Sequence, residues 1–254
     1  MLEQKKEYKI SFFFPAFNDE GTIEEMVEEG RKILSDISSE YEIIIVNDGS
    51  IDNTGIEADK MAEKHHEVKV VHHLYNIGYG AALKTGFASA QYDLIFYTDG
   101  DHQFNLQELK SFMEYIDEYD IVSGYRENRA YSNSKVRKFA SKLYNLFIRL
   151  FFNLPYKDVD CAFKLIKKDV VERSGYFVNS AFICTEIFYE ALKLGKTIKQ
   201  IPVKHYPRKY GTSSSFSLFF ILRSVIELFE ALWEVKYKER FYAFRQRRLK
   251  RKAK

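Results

Sequence analysis

The sequence predicts an α/β protein built on a mainly parallel sheet. Short β-rich apolar runs alternate with amphipathic helical stretches, at spacings that suit βαβ units. The apolar runs open into polar loops, and no internal repeat is present. Such a sheet carries right-handed crossovers, and the loops after its parallel strands lie along one edge.

The elements follow in order. Ile10–Phe14 is an apolar strand, which Pro15 is expected to stop. Residues 16–21 form a loop. Thr22-Ile23-Glu24-Glu25 is a capping-box pattern, and the helix it opens carries Ile23, Met26, Val27, Ile33, Leu34 and Ile37 on one face. Glu42–Val46 is the second strand, ending in Asn47-Asp48-Gly49-Ser50, with a helix after it to about His66. Val68–His72 is the third strand. Asn76 to Lys84 opens a helix with small residues, and Tyr92–Thr98 is the fourth strand. Asp120–Gly124 and Phe163–Ile166 read as strands, and Ile198–Val203 is a further one, open to an antiparallel direction.

The fourth strand breaks at Asp99-Gly100-Asp101, with Gln103 two residues on. Two carboxylates one residue apart at a strand end make a poor core and a good site for a hard divalent cation. Mg²⁺ is usually held by one or two carboxylates plus substrate phosphates. A solvated acidic turn has the same appearance when it stands alone. Here it does not, because Pro15–Glu20, Asn47–Asp52 and Asn76–Lys84 converge on the same edge, where open α/β sheets bind ligands. Asp48 can accept hydrogen bonds from a base or a ribose. Lys84 can reach a phosphate as a point charge, and backbone N–H groups near Gly78–Gly80 can do the same. A diphosphate bridged by a metal is the simplest ligand for this set.

Composition bounds the rest. The chain has 254 residues, 46% hydrophobic and 16% aromatic, enough to fill a sizeable core. Cys161 and Cys184 form no framework and read as buried small hydrophobes in a reducing, cytoplasmic setting. MLEQKKEYK leads directly into a strand, so no secretory signal is expected. The uncharged run Tyr210–Leu222 stops at 13 residues, short of a membrane span. The net charge of +3 hides an asymmetry: residues 236–254 hold ten Lys/Arg against one acid, Glu239. Nothing outside this tail supports nucleic-acid binding. The pairs His65-His66 and His72-His73 read as helix-end and strand-end residues, not ligands.

PAFNDEGTI, VNDGSIDNT, NIGYGAALKTG and DGDHQ match, in order, the motifs of family 2 glycosyltransferases with the GT-A fold. The later pieces VDCAFKLI, TEIF and IPVKHYPRKYGTSS resemble the subset that transfers a sugar onto a polyprenyl phosphate, as dolichol-phosphate mannose synthase does. The resemblance covers about residues 8–215. It implies a GT-A domain over 1–215, a Rossmann-like nucleotide-binding unit with a mostly parallel mixed sheet flanked by helices. It implies a nucleotide-sugar donor met by Pro15, Phe17, Asn18, Glu20, Asp48, Lys84 and Asp99. It implies Mg²⁺ or Mn²⁺ on Asp99, Asp101 and Gln103, and acceptor-phosphate contacts at Arg126, Arg137 and Arg208. Asp19 stands where many members have Glu and is given no role.

Further elements bear on the acceptor. Glu127–Ser134 is a polar candidate lid. A helix over Ser134–Phe152 either packs on the sheet or lies against lipid, with Arg137, Lys138, Lys142 and Arg149 on its other side. Thr212–Ser215 follows Arg208 in a loop able to fold over a diphosphate. Ser217–Glu234 reads as a helix whose polar stripe, Arg223, Glu227, Glu230 and Glu234, is narrow against a wide apolar arc. With the basic tail it reads as a peripheral contact of 216–254 with an anionic membrane surface on the cytoplasmic face. An oligomer interface or, for the tail alone, nucleic-acid contact is the rival reading, and a membrane-protein partner is another source of the anchor. The chemistry expected is direct, inverting displacement at the anomeric carbon, with Asp101 and Arg208 serving the departing diphosphate. A lipid phosphate needs no strong base, whereas a sugar hydroxyl would call on Asp160 or Glu186. A non-catalytic nucleotide-sugar-binding scaffold is the reading from a different class.

Overall fold

The computed structural model describes residues 8–127, 146–173, 182–210, 232, 233 and 237. The elements are β1 (Lys9–Ala16), α1 (Ile23–Ile37), β2 (Glu40–Asn47), α2 (Thr54–Lys64), β3 (Val68–His72), α3 (Tyr79–Ser89), β4 (Leu94–Tyr97), α4 (Leu109–Met113), β5 (Ile121–Arg126), β6 (Lys164–Lys167) and β7 (Ile198–Val203). Two more helices, Lys168–Arg173 and Ile183–Lys193, lie between β6 and β7.

The strands form one mixed sheet in the order β3-β2-β1-β4-β6-β5-β7. β1 pairs parallel with β2 and β4, and β2 with β3. β6 is the antiparallel member, inserted between β4 and β5. β7 pairs parallel with β5, which corrects the antiparallel direction left open for Ile198–Val203. Because β6 runs back between its neighbours, β5 and β7 resume the direction of β1–β4. The C-terminal ends of six strands therefore share an edge with the start of β6.

β1 is buried on both faces, as a central parallel strand should be. Phe12 packs against Phe14 and Phe96, and Phe96 against Phe163, on one side, and Phe13 stacks on Tyr97, 5.4 Å between centroids, on the other. The face of α1 named from the sequence is the buried one: Ile23, Met26, Val27, Ile33 and Leu34. Each such side chain contributes about 1.5–3 kcal/mol of burial. Cys161 and Cys184 are free and buried, with the Cys161 thiol pushed up to about 12 by burial.

Two local expectations fail for physical reasons. Pro15 does not stop β1, which continues to Ala16 with Pro15 opposite Val46. In a strand a residue's N–H and C=O face the same side. The Pro15 carbonyl faces Gly100, beyond the end of β4, so the missing N–H costs no ladder bond. The capping box does not form. Thr22 makes no side-chain cap; its hydroxyl donates to the Gly100 carbonyl at 2.7 Å, and Glu25 accepts from Lys209 at 2.9 Å. Tertiary partners outcompete the local pattern.

The end of the helix expected over Ser134–Phe152 buries Ile148 and Phe152 and exposes Leu146, Leu150 and Phe151. Arg137, nearly all of the candidate lid, the Thr212–Ser215 loop and all of 216–254 except Leu232, Trp233 and Tyr237 lie outside the described residues. No described helix is long and apolar enough to cross a membrane.

Candidate active site

The shared strand edge assembles four loops, each stitched to the next. The loop after β1 is bound to the loop after β2. Asn18, at positive φ, accepts from Ile51 N at 3.0 Å, and its own N–H donates to Ser50 Oγ at 3.1 Å. Glu20 accepts from Asn53 N at 3.0 Å. The carboxamide and carboxylate expected at the nucleotide thus hold the two loops together, while Phe17 is exposed beside them.

Asp48 is buried at the end of β2. Its Oδ1 accepts from Ile77 N at 3.1 Å and its Oδ2 from Gly78 N at 3.0 Å. A carboxylate can only accept, so His73 Nδ1 carries the proton it shares with Asp48 over 2.6 Å, and Thr85 Oγ1 lies 2.9 Å from Nε2. Asp48 thereby sets the shape of the turn that opens α3. Gly49, next to Asp48 in the loop after β2, has φ +66 and lies so close to that segment that a Cβ would come within 2.3 Å of the Tyr75 backbone. Lys84 stands half-buried on α3.

The Asp99-Gly100-Asp101 turn follows β4. Gly100 is required by close approach, since a Cβ would lie 2.4 Å from the Pro15 oxygen. Tyr79 Oη donates to Asp99 Oδ1 at 2.8 Å. Asp101, also buried, accepts from Gln103 N at 3.2 Å and from Arg208 Nη2 at 2.9 Å. Gln103 Nε2 donates to the Tyr206 carbonyl at 2.7 Å, which leaves Oε1 as the acceptor end of that amide. Asp19 Oδ1 lies 3.9 Å from Arg208 Nη1.

Two carboxylates flanking one glycine, Asp99 half-buried and Asp101 buried, suit a hard divalent cation, and the electrostatics agree. Burial first, then the charge of Asp101, pushes the Asp99 carboxyl up to about 6, against the pull of Tyr79, Arg126 and Lys164. Among the described residues no group of three or more His, Cys, Asp or Glu side chains is placed to hold a metal. Further ligands would have to be phosphate oxygens, water or the Gln103 amide. The raised Asp99 value has a consequence for stability. A carboxyl whose folded value exceeds its unfolded one favours the fold at low pH, and that contribution is lost as pH rises from about 4 through 6. The melting temperature of metal-free protein is expected to fall from about pH 4 toward 7, most of the fall lying below about pH 6, and saturating Mn²⁺ to flatten that slope. Calorimetry across this range checks it; a rise toward pH 7 without metal would contradict it.

The remaining expected residues separate into two groups. Arg126 does not stand as a free phosphate fork. Its Nε and Nη2 donate to Asp158 at 2.8 and 2.9 Å, and its backbone N–H donates to the same carboxylate at 3.1 Å. Asp160 is half-buried, and its charge acts on Arg126 and Cys184. Glu186 is fully buried on the helix Ile183–Lys193.

Residues the sequence did not point to also stand here: Asp19, Tyr79, His73, Asp158 and Lys164. Lys164 opens β6 opposite Tyr97, fully buried. Its ammonium donates to the Cys161 carbonyl and lies 5.5 Å from the Tyr97 ring centroid. The loop position of Asp19 was a usable signal. A lysine inside a short apolar strand was not, because a solvent-facing lysine looks the same in sequence.

Comparison with known proteins gives this geometry a family. The sequence model described as Glycosyl transferase family 2 matches residues 11–175. The chain is 28% identical over 208 residues to the Haloferax volcanii protein described as Glycosyltransferase AglD, covering 79% of this chain and 33% of that one. The chain thus spans about a third of that relative's length. Among solved structures, glucosyl-3-phosphoglycerate synthase from Mycobacterium tuberculosis, in complex with Mn²⁺, UDP and glucosyl-3-phosphoglycerate, superposes with a TM-score of 0.68 at 16% identity. That match covers 91% of this chain and 82% of the other. The same enzyme with Mg²⁺ and UDP gives 0.66 at 16% identity, covering 88% and 79%. The seven-stranded mixed sheet flanked by helices is the GT-A fold.

Proposed function

The chain belongs to glycosyl transferase family 2, and from that premise we propose that it moves a sugar from a nucleotide-sugar donor to a polyprenyl or dolichyl phosphate, with inversion and with Mg²⁺ or Mn²⁺. The observation that carries the reading is the Asp99/Asp101 pair at the sheet edge, Asp99 half-buried and Asp101 buried, with Arg208 2.9 Å from Asp101. The nucleotide lies along Pro15, Phe17, Asn18, Glu20 and Asp48. Lys84 and the N-terminus of α3 face its phosphates. Asp99, Asp101 and Gln103 would hold the ion, which would neutralise charge on the departing diphosphate. Arg208 then holds that diphosphate through charge-assisted hydrogen bonds.

The polyprenyl phosphate acceptor rests on the resemblance of VDCAFKLI, TEIF and IPVKHYPRKYGTSS. It also rests on exposed Leu146, Leu150 and Phe151 and on the apolar, then basic, sequence of 216–254. Those features suit peripheral contact with the anionic cytoplasmic face of a membrane, alone or with a membrane-protein partner. A phosphate monoester is largely dianionic at neutral pH, so the nucleophile needs orientation rather than deprotonation. Arg137 is the candidate for that role, and Arg126 joins it only by loosening its pair with Asp158.

The test is incubation with radiolabelled UDP-glucose, UDP-N-acetylglucosamine or GDP-mannose, a short-chain polyprenyl phosphate and Mn²⁺. A labelled, solvent-extractable glycolipid is the expected product. No product with any donor, together with no nucleotide-dependent thermal stabilisation, would overturn the reading. Transfer to a sugar hydroxyl instead, abolished by Asp160→Asn or Glu186→Gln, would move the acceptor and leave the donor chemistry in place.

A further inference from the structure

Residues 204–210, which follow β7, lie down as a strap on the Asp99–Gln103 turn. Tyr206 N donates to the Gln103 carbonyl at 2.8 Å, and Gln103 Nε2 donates to the Tyr206 carbonyl at 2.7 Å. Phe104 and His205 form a bridge. Lys209 Nζ donates to Glu25 at 2.9 Å, and the Tyr210 ring packs so closely over Gly21 that a Cβ there would come within 2.9 Å of it. At the centre, Arg208 faces Asp101 at 2.9 Å and Asp19 at 3.9 Å.

This places a guanidinium on the carboxylate that a divalent ion would use. An ion bound to Asp101 Oδ2 would stand less than about 5 Å from Arg208 Nη2 and carry the same sign of charge. The two cations therefore compete for the same carboxylate. Diphosphate oxygens, in contrast, attract both cations and offer Arg208 a second set of acceptors.

We propose that Arg208 is a place-holder for the metal, and that the strap makes metal and nucleoside diphosphate bind cooperatively. This rests on the reading of the site as one for a metal and a diphosphate. Without nucleotide, Arg208 occupies Asp101 and weakens cation binding. When a diphosphate enters, Arg208 moves onto its oxygens and Asp101 is released to the ion. By linkage, the factor by which nucleotide tightens the metal equals the factor by which metal tightens the nucleotide. The arrangement keeps an ion off the enzyme until the leaving group it serves has arrived.

The experiment measures Mn²⁺ affinity by electron paramagnetic resonance of free Mn²⁺, with and without UDP or GDP, on wild type, Arg208→Gln and Arg208→Lys. Without nucleotide, Arg208→Gln is expected to bind Mn²⁺ about tenfold more tightly than wild type, and Arg208→Lys, which keeps the charge, to remain near wild type. Nucleotide should tighten Mn²⁺ on wild type by a larger factor than on Arg208→Gln. Equal or weaker Mn²⁺ binding by Arg208→Gln, in protein whose melting temperature matches wild type, would overturn the place-holder while leaving the metal reading intact. Failure of wild type to bind Mn²⁺ even with either nucleotide would overturn both.

Discussion

Asp101→Asn should lower sugar transfer about 1,000-fold while leaving the protein folded. Asparagine keeps the shape of the side chain, and its carbonyl can still accept from Gln103 N, as the carboxylate does at 3.2 Å. What it loses is the charge. A metal that stabilises a departing diphosphate is worth several kcal/mol, and each 1.36 kcal/mol is a factor of ten in rate. The substitution also releases Arg208 from its 2.9 Å partner, so nucleotide binding without metal should survive. Turnover and nucleotide affinity measured on the same preparation separate the two effects. Loss of nucleotide binding in step with turnover would mean that Asp101 shapes the pocket and does not serve the leaving group.

The largest effect on stability is expected at Asp158. This side chain is buried and takes two guanidinium donors from Arg126, together with the Arg126 backbone N–H. Asp158→Ala leaves a guanidinium that is 26% exposed without its counter-charge. Breaking a buried pair from one side costs about 3–5 kcal/mol; the partial exposure of Arg126 places this case at the lower end, about 3 kcal/mol. Denaturant unfolding should show a lower midpoint with an unchanged slope. The double variant Arg126→Met/Asp158→Leu should recover most of the loss, because a well-packed apolar pair often matches a buried ionic one. If Asp158→Ala unfolds within about 0.5 kcal/mol of wild type, the pair is not structural, and Arg126 is free to serve an acceptor phosphate.

The sheet could be read from the sequence because its signals are local. β1, β2 and β4 are continuous apolar runs, and α1 repeats its apolar residues with helical period, so both faces of the core were visible residue by residue. The convergence of Asp48, Asp99 and Asp101 followed from one topological rule, that successive parallel strands end on the same side. What sequence could not give was long-range competition. Thr22 and Glu25 carry a capping pattern, yet their side chains reach Gly100 and Lys209. Phe163–Ile166 was legible as a strand, but an apolar run carries no direction, and β6 turned out to be the antiparallel insertion. Pro15 looked like a terminator because sequence does not say which side of a strand has a neighbour. Arg208 and Asp101 were both named as site residues, each expected to hold a ligand. Across 107 positions of chain, nothing announced that they would hold one another.

The most direct test of the metal at the sheet edge is a crystal structure with Mn²⁺ and a nucleoside diphosphate, read by anomalous scattering at the manganese edge. The account predicts one strong peak within coordination distance of Asp101 and of a diphosphate oxygen, with Arg208 moved from the carboxylate to the phosphates. A nucleotide bound with no manganese peak at Asp99 or Asp101, and Arg208 still on Asp101, would contradict it.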